Sequence, residues 1–98
     1  MNRRGISIEL SKEFNSLTEG ERLEIIEDVE QVLEQYDAVD VEAVEIQLER
    51  FSPRSFGRLV SCSIDIITPY GAFMEHGTAW TVKTAVKHTL KGALVSFD

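Results

Sequence analysis

Hydrophobic residues recur along the chain with two different periods, and each period predicts one type of element. Residues 5–10 alternate between apolar and polar side chains, which is typical of a β-strand with one buried face. The same alternation returns at residues 44–48 and 60–66, so we expect two further strands there. Residues 72–76 are expected to form a fourth, shorter strand.

Two other segments carry apolar residues at helical spacing. Thr18 and Glu21 fit a capping box, in which each side chain accepts a hydrogen bond from the other residue's backbone. The helix that begins there is expected to run to about Tyr36. A second helix is expected over residues 79–97, with Thr78 as its N-cap. The predicted inner face of the first helix consists of Leu23, Ile25, Ile26, Val29, Val32, Leu33 and Tyr36.

Short polar segments connect these elements. Residues 11–17 have no clear period and are expected to form a connection. Residues 37–40 and 68–71 have the composition of turns. Residues 52–57 contain a proline and a glycine and are expected to form the loop of a hairpin.

The predicted order of elements is β-α-β-β-β-α, and 98 residues suit a single domain. The first two strands flank a helix, so we expect them to be parallel with a right-handed crossover, and the later strands to pair as antiparallel hairpins. Each strand has one apolar face and each helix one apolar stripe. The sequence therefore predicts an α+β fold of two layers, in which both helices pack on one face of a four-stranded mixed sheet. The other face would display Glu45, Gln47, Glu49, Ser61, Ser63 and Asp65.

Charge is distributed unevenly along the chain. The formal net charge is −7. Residues 1–49 hold 4 basic and 14 acidic side chains, net −10, whereas residues 50–98 hold 6 basic and 3 acidic side chains, net +3. The overall acidity argues against a general nucleic-acid-binding domain, which is usually basic, but it is compatible with a local basic face.

Composition also bears on the class of protein and on where it acts. No apolar run approaches the ~20 residues that a membrane-spanning helix needs, and we expect no membrane association. No secretory signal is evident, and the single cysteine, Cys62, cannot form an intrachain disulfide. We therefore expect a cytoplasmic protein.

Several segments of the sequence resemble a known family. They are residues 17–23 (LTEGERL), 29–36 (VEQVLEQY), 41–46 (VEAVEI) and 79–91 (AWTVKTAVKHTLK). Together with the element order, they resemble the bacterial ribosome hibernation factors, also called ribosome-associated inhibitors or protein Y, of which this chain would be an acidic, diverged member. The resemblance covers nearly the whole chain. It implies the same fold, binding to the small ribosomal subunit through basic side chains, and regulation of translation under stress.

A stripe of lysines on the second helix is the first candidate for such binding. Lys83, Lys87 and Lys91 are spaced four residues apart, with His88 beside them, and residues 79–97 contain no acidic side chain. Lysines on one exposed face can contact the phosphates of RNA. The alternative is a solvated face, or ion pairs with the acidic first helix, which this fold places alongside.

A cluster of arginines around the predicted hairpin loop is the second candidate. Arg50, Arg54 and Arg58 are interleaved with Phe51 and Phe56. Guanidinium groups and aromatic rings both stack on the bases of RNA. The alternative is a loop in which the two phenylalanines cover the end of the core and the arginines compensate the negative charge of nearby glutamates.

The acidic face of the first helix offers a different function. Glu24, Glu27, Asp28 and Glu34 lie on that helix and are either simply solvated or form a docking surface for a basic protein. A protein-interaction module that docks through this helix, or through the exposed face of the sheet, is therefore the alternative to RNA binding. The sequence does not indicate the oligomeric state, although an exposed edge strand could pair two copies.

The residue types used in catalysis form no recognisable constellation. Cys62 lies among apolar residues of a strand and is expected to be a buried, inert thiol. His76 and His88 lack the ligand spacing of a metal site, and no glycine-rich loop for a nucleotide is present. Glu75 and His76 have no evident catalytic partner. We expect no metal, no cofactor and no enzymatic activity.

Overall fold

The computed structural model of the protein describes residues 6–36, 40–51 and 59–97, with the side chains of residues 50, 51, 96 and 97 excepted. Its elements follow the order β-α-β-β-β-α, which confirms the prediction. They are β1 (Ser7–Leu10), a 3₁₀-helix (Lys12–Ser16), α1 (Glu19–Gln35), β2 (Ala43–Phe51), β3 (Leu59–Thr68), β4 (Gly71–Ala79) and α2 (Val82–Phe97). Most of the turn expected at residues 37–40, and the hairpin loop expected at 52–57, lie outside the described residues.

The four strands form one mixed sheet in the order β1-β2-β3-β4. β1 is parallel to β2, while β2, β3 and β4 are joined antiparallel, as the sequence predicted. The β3–β4 ladder runs without interruption from the pair Val60–Ala79 to the pair Thr68–Gly71. Gly71 closes the tight turn with φ = 143°, a left-handed backbone conformation that favours glycine.

The core lies between one face of this sheet and the two helices. Val44, Ile46 and Leu48 of β2 are paired with inward-facing residues of β3, and all of these side chains are buried. Buried residues of both helices belong to the same apolar cluster, which places α1 and α2 on the same face of the sheet. The predicted two-layer α+β architecture is therefore confirmed.

The capping box at the start of α1 forms as predicted. The Glu21 amide donates to Thr18 Oγ1 at 3.1 Å, and the Thr18 amide donates to Glu21 Oε1 at 2.9 Å. The expected inner face was wrong at Leu23, whose side chain is exposed. The buried stripe of the helix consists of Ile25, Val29, Val32 and Leu33, and Leu23 lies outside it on the solvent side.

The boundary between β4 and α2 differs from the prediction. β4 extends to Ala79, so Thr78 belongs to the strand and was wrongly predicted to cap the helix. Thr81 takes that role, because its Oγ1 accepts from the Thr84 amide at 3.1 Å and its carbonyl accepts from the Ala85 amide at 3.0 Å.

The connection between β1 and α1 is more ordered than its polar sequence suggested. Residues Lys12–Ser16 form a 3₁₀-helix, and the Phe14 side chain is fully buried. The Arg22 guanidinium donates to the Leu17 carbonyl at 2.7 Å and to the Phe14 carbonyl at 3.4 Å. This short helix therefore closes one end of the core.

Candidate nucleic-acid interface

The two helices run in the same direction across the sheet, and this brings their first turns together. β1, β2 and β4 are mutually parallel, and each helix returns antiparallel to the strand that precedes it. α1 and α2 therefore lie side by side. One flank of α2 faces α1, and the opposite flank lies over β4, where Thr89 approaches Gly77.

The predicted lysine stripe crosses the surface of α2 obliquely. A helix advances about 100° per residue, so each four-residue step rotates the stripe by about 40°. Lys83 lies on the flank that faces α1, and Lys91 lies on the exposed outer surface, with Lys87 between them at intermediate burial. The three lysines therefore do not have equivalent surroundings.

Lys83 is engaged by the acidic residues of α1. Its Nζ lies 3.4 Å from Glu24 Oε2 and 3.9 Å from Asp28 Oδ2. The prediction that α1 could pair with the stripe is confirmed at this lysine. The Lys83 and Glu24 side chains are 52% and 55% exposed, so the pair is screened by water and contributes only about 0–1 kcal/mol.

Of the other basic residues of α2, His88 and Lys91 are exposed and Lys87 is half-buried. Within the part of the chain that the structure describes, neither Lys87 nor Lys91 has an ion-pair partner. His88 is exposed, and α2 contains no acidic residue. The outer surface of α2, which we call the α2 basic face and define as Lys87, His88 and Lys91, is therefore a region of positive charge on an acidic chain.

The arginine cluster is described only in part. Arg50 lies in β2 and its backbone is paired with Val60, but its side chain is outside the described residues. Arg54 and Arg58 also lie outside them. Their role in RNA binding stays a prediction.

The acidic face of α1 is divided by the packing of the helices. Glu27 and Glu34 are exposed, whereas Glu24 and Asp28 flank α2 and face Lys83. Asp28 Oδ2 is shielded from solvent and forms no hydrogen bond within the described residues, because 3.9 Å is too long for one. Its stabilisation by Lys83 is electrostatic only.

The open face of the sheet carries carboxylates that the sequence predicted there, but their alignment in one row was not predicted. Glu9 of β1 is paired with Glu45 of β2, which is paired in turn with Asp65 of β3. Neighbouring like charges of this kind are unfavourable for a sheet. The register that aligns them depends on how the strands pair, which no single segment of sequence specifies. Ser63, expected on this wet face, is buried by its neighbours.

A cleft of about 290 Å³ separates the first turns of the two helices. Its polar side chains include Glu21 and Lys83, which are already engaged in the capping box and in the ion pair with Glu24. The lining residues are Leu17, Glu21, Ile25, Thr81, Val82 and Lys83.

The single thiol is buried, as predicted. Cys62 donates to Thr89 Oγ1 at 3.2 Å, and Thr89 Oγ1 donates to the Ala85 carbonyl at 2.7 Å. Burial raises the pKa of the Cys62 thiol, and the hydrogen bond with Thr89 offsets only part of this effect. The thiol is therefore held in its unreactive, protonated form.

Two further features of the described residues concern metal binding and membranes. No group of three or more His, Cys, Asp or Glu side chains is arranged there to hold a metal ion. No helix in the described ranges is long and apolar enough to cross a membrane.

Comparison with known families identifies the chain. Residues 8–93 match the family described as hibernation factor Hib, C-terminal domain. The chain belongs to this family. The resemblance to ribosome hibernation factors that the sequence suggested is thereby confirmed. Among curated proteins, no sequence matches the chain closely enough to suggest a relative.

Solved structures share the fold of this Hib family member at low sequence identity. A ribosomal subunit interface protein from Coxiella burnetii is similar with a TM-score of 0.64 and 6% identity, over 93% of this chain and 90% of that one. The N-terminal domain of protein Y from Thermus thermophilus is similar with a TM-score of 0.60 and 12% identity, over 94% and 93% of the two chains. At these identities the likeness establishes the fold alone.

Proposed function

We propose that this hibernation-factor domain binds the small ribosomal subunit and restrains translation by occupying its surface, without catalysing a reaction. The family match over residues 8–93 is the observation that supports this function. The names of the structural relatives, a ribosomal subunit interface protein and protein Y, are consistent with it.

The α2 basic face is the surface best suited to contact ribosomal RNA. Lys87 and Lys91 have no ion-pair partner within the described ranges, so a phosphate would not have to displace a carboxylate. Lys83 differs, because a phosphate there competes with Glu24 and Asp28. We therefore assign the main contacts to Lys87 and Lys91, with Lys83 as a weaker contributor. Arg50, Arg54 and Arg58 are additional candidate contacts.

Co-sedimentation with purified small ribosomal subunits tests this function. We expect saturable binding of the wild-type chain that weakens as salt rises, because each neutralised phosphate releases condensed counterions. Lys91→Glu should weaken binding and reduce the slope of log K against log salt concentration by about one. A chain that does not sediment with the subunit even at low salt would refute the proposal.

A matched control separates a local contact from the total charge. Lys12 is an exposed lysine of the 3₁₀-helix, outside α2. Lys12→Glu changes the net charge by the same amount as Lys91→Glu, so it should leave affinity nearly unchanged if α2 makes the contact. Equal losses in both variants would assign the effect to overall charge instead of the α2 basic face.

The carboxylate row on the open face supports a second candidate, docking of a basic protein segment. Glu9, Glu45 and Asp65 are aligned across three strands despite their mutual repulsion. Such a surface would bind a lysine- or arginine-rich segment and not RNA. Glu45→Gln should weaken this docking and slightly strengthen subunit binding through RNA. Loss of subunit binding in Glu45→Gln, with no effect of Lys91→Glu, would favour this second function.

A further inference from the structure

The β4 strand is a long edge of the sheet with little to prevent another strand from pairing with it. It spans nine residues, Gly71–Ala79, and is the last strand in the order β1-β2-β3-β4. Its ladder with β3 contains no bulge, and its sequence contains no lysine, arginine or proline. Natural proteins commonly protect exposed edges with those features, with short strands, with bulges or with inward-pointing charges, and of these β4 has only the carboxylate of Glu75.

The opposite edge of the sheet does have such protection. β1 spans only four residues and carries a carboxylate, Glu9, on its open face. Each edge strand carries one carboxylate, so the two edges differ chiefly in length. Of the two sheet edges in the described part of the chain, only β4 presents a long row of backbone N–H and C=O groups for another strand.

Exposed apolar side chains are concentrated at the β4 edge. Among the described residues, the exposed large hydrophobic side chains number six, and four of them lie within residues 70–80. Phe73 and Met74 lie in β4 itself, and Tyr70 and Trp80 flank its two ends. Aromatic residues and methionine are enriched in protein interfaces relative to other surfaces.

The charge of the β4 edge also permits a second copy to approach. Although the chain carries −7 overall, the ionisable side chains of β4 are only Glu75 and His76. The Glu75 carboxylate lies toward α2, with Oε2 3.3 Å from the position that a Cβ on Gly92 would occupy. Most acidic residues belong to the first 49 residues, which form β1, α1 and most of β2.

We propose that β4 is a pairing edge through which two copies of this chain associate antiparallel about a two-fold axis, forming one continuous eight-stranded sheet. The occupant must be an extended strand, because only a strand satisfies a row of alternating backbone donors and acceptors. A second β4 has the same length, and its exposed Met74 would cover the Met74 of the first.

Charge limits the register of this pairing. Residues directly opposite each other in an antiparallel pair point to the same face of the sheet. A pair centred on Glu75 would place two carboxylates opposite each other, which is unfavourable. A pair centred on Met74 places the two Met74 side chains together and Phe73 opposite the Glu75 of the second copy. The Met74-centred register is therefore the one we assign.

Sedimentation velocity over a range of concentrations tests the pairing in the full chain. We expect a monomer–dimer equilibrium for the wild type and at least tenfold weaker association for Met74→Lys. That substitution introduces two opposed lysines at the centre of the interface. The Met74 side chain is 60% exposed in the single chain, so the substitution should leave the fold intact.

Leu23→Lys is the matched control. Leu23 is 54% exposed, also apolar, and lies on α1, away from the β4 edge. This variant should dimerise like the wild type. A wild-type chain that stays monomeric at about 1 mM, where even weak association would be visible, would overturn the proposal. Equal weakening in both variants would also overturn it, because it would place the contact elsewhere.

Amide hydrogen exchange locates the contact independently. Raising the protein concentration should increase protection of amides in β4 and leave those in β1 unchanged. Concentration-dependent protection confined to β1 or to α1 would contradict pairing through β4.

Discussion

A single buried contact between α2 and the sheet gives a quantitative test of how the two layers are held together. Gly77 of β4 lies directly beneath Thr89 of α2. A Cβ on residue 77 would overlap Thr89 Oγ1 and lie 3.3 Å from Thr89 Cβ. Gly77→Ala should therefore destabilise the protein, although alanine is otherwise better than glycine in a strand.

Thr89 cannot easily move away from the added methyl group. Its Oγ1 donates to the Ala85 carbonyl at 2.7 Å and accepts from the Cys62 thiol at 3.2 Å, so rotation of the side chain breaks both hydrogen bonds. Overpacking of a core contact costs about 1–3 kcal/mol. Replacing glycine in a strand returns about 0.5–1 kcal/mol. Because Thr89 is held in place, the overpacking cost should lie in the upper part of its range, and we expect Gly77→Ala to lower the free energy of unfolding by about 1–2 kcal/mol.

Urea denaturation measures this change as a shift of the unfolding midpoint by roughly 0.5–1 M, given an m-value of about 2 kcal/mol/M. Thr89→Ala alone should cost about 1 kcal/mol, because it removes the buried hydroxyl and leaves the Cys62 thiol without its acceptor. In the double variant the new methyl group occupies the vacated space. The two losses should therefore be less than additive by about 1–2 kcal/mol.

Gly92→Ala provides the contrast. A Cβ on Gly92 would meet the end of the Glu75 side chain at 3.3 Å, and that flexible carboxylate can shift. Alanine is favoured over glycine inside a helix by about 1 kcal/mol, so Gly92→Ala should leave stability unchanged or raise it. If Gly77→Ala is as stable as the wild type, or if its effect persists undiminished in the Thr89→Ala background, the proposed contact is refuted.

Three further outcomes follow from the local structure. Thr81→Ala removes the acceptor for the Thr84 amide and should lower the free energy of unfolding by about 1 kcal/mol, as read from thermal denaturation. The pKa of Glu21 is lowered chiefly by the hydrogen bond from the Thr18 amide. The contribution of this carboxylate to stability is therefore present above its unfolded pKa and is lost as the pH falls through its folded pKa. Glu21→Gln should make the free energy of unfolding fall less steeply with decreasing pH in the acidic range. The raised pKa and burial of Cys62 predict that a thiol reagent labels it only on unfolding, so fast labelling of the native protein would contradict the buried position.

Periodicity predicted the elements of this fold because each one buries a single face. The alternation in β2 and β3 corresponds to side chains that pair across the sheet, such as Val44 with Ile66 and Leu48 with Cys62. The strong capping box marked the start of α1 correctly. Phe14 was missed because a 3₁₀-helix of one or two turns has no period long enough to recognise.

The geometry of the candidate site was harder to predict from the sequence than the helices and strands, because it depends on tertiary packing. The sequence indicated that α1 could neutralise the lysine stripe, but only the lateral packing of the helices selects Lys83 as the residue that pairs. The alignment of Glu9 with Glu45 and Asp65 likewise required the strand register. Contacts of this kind join residues distant along the chain, and local composition does not encode them.

The opposed charges of the two halves bear on how an acidic chain of this family could approach RNA. In the proposed function, a phosphate surface would repel residues 1–49, with their net charge of −10, and attract residues 50–98, with their net charge of +3. The Lys83–Glu24 pair joins the two regions, and a lysine that is paired with α1 would be less available to RNA. In the proposed function, RNA affinity should therefore depend mainly on Lys87 and Lys91, which have no ion-pair partner among the described residues.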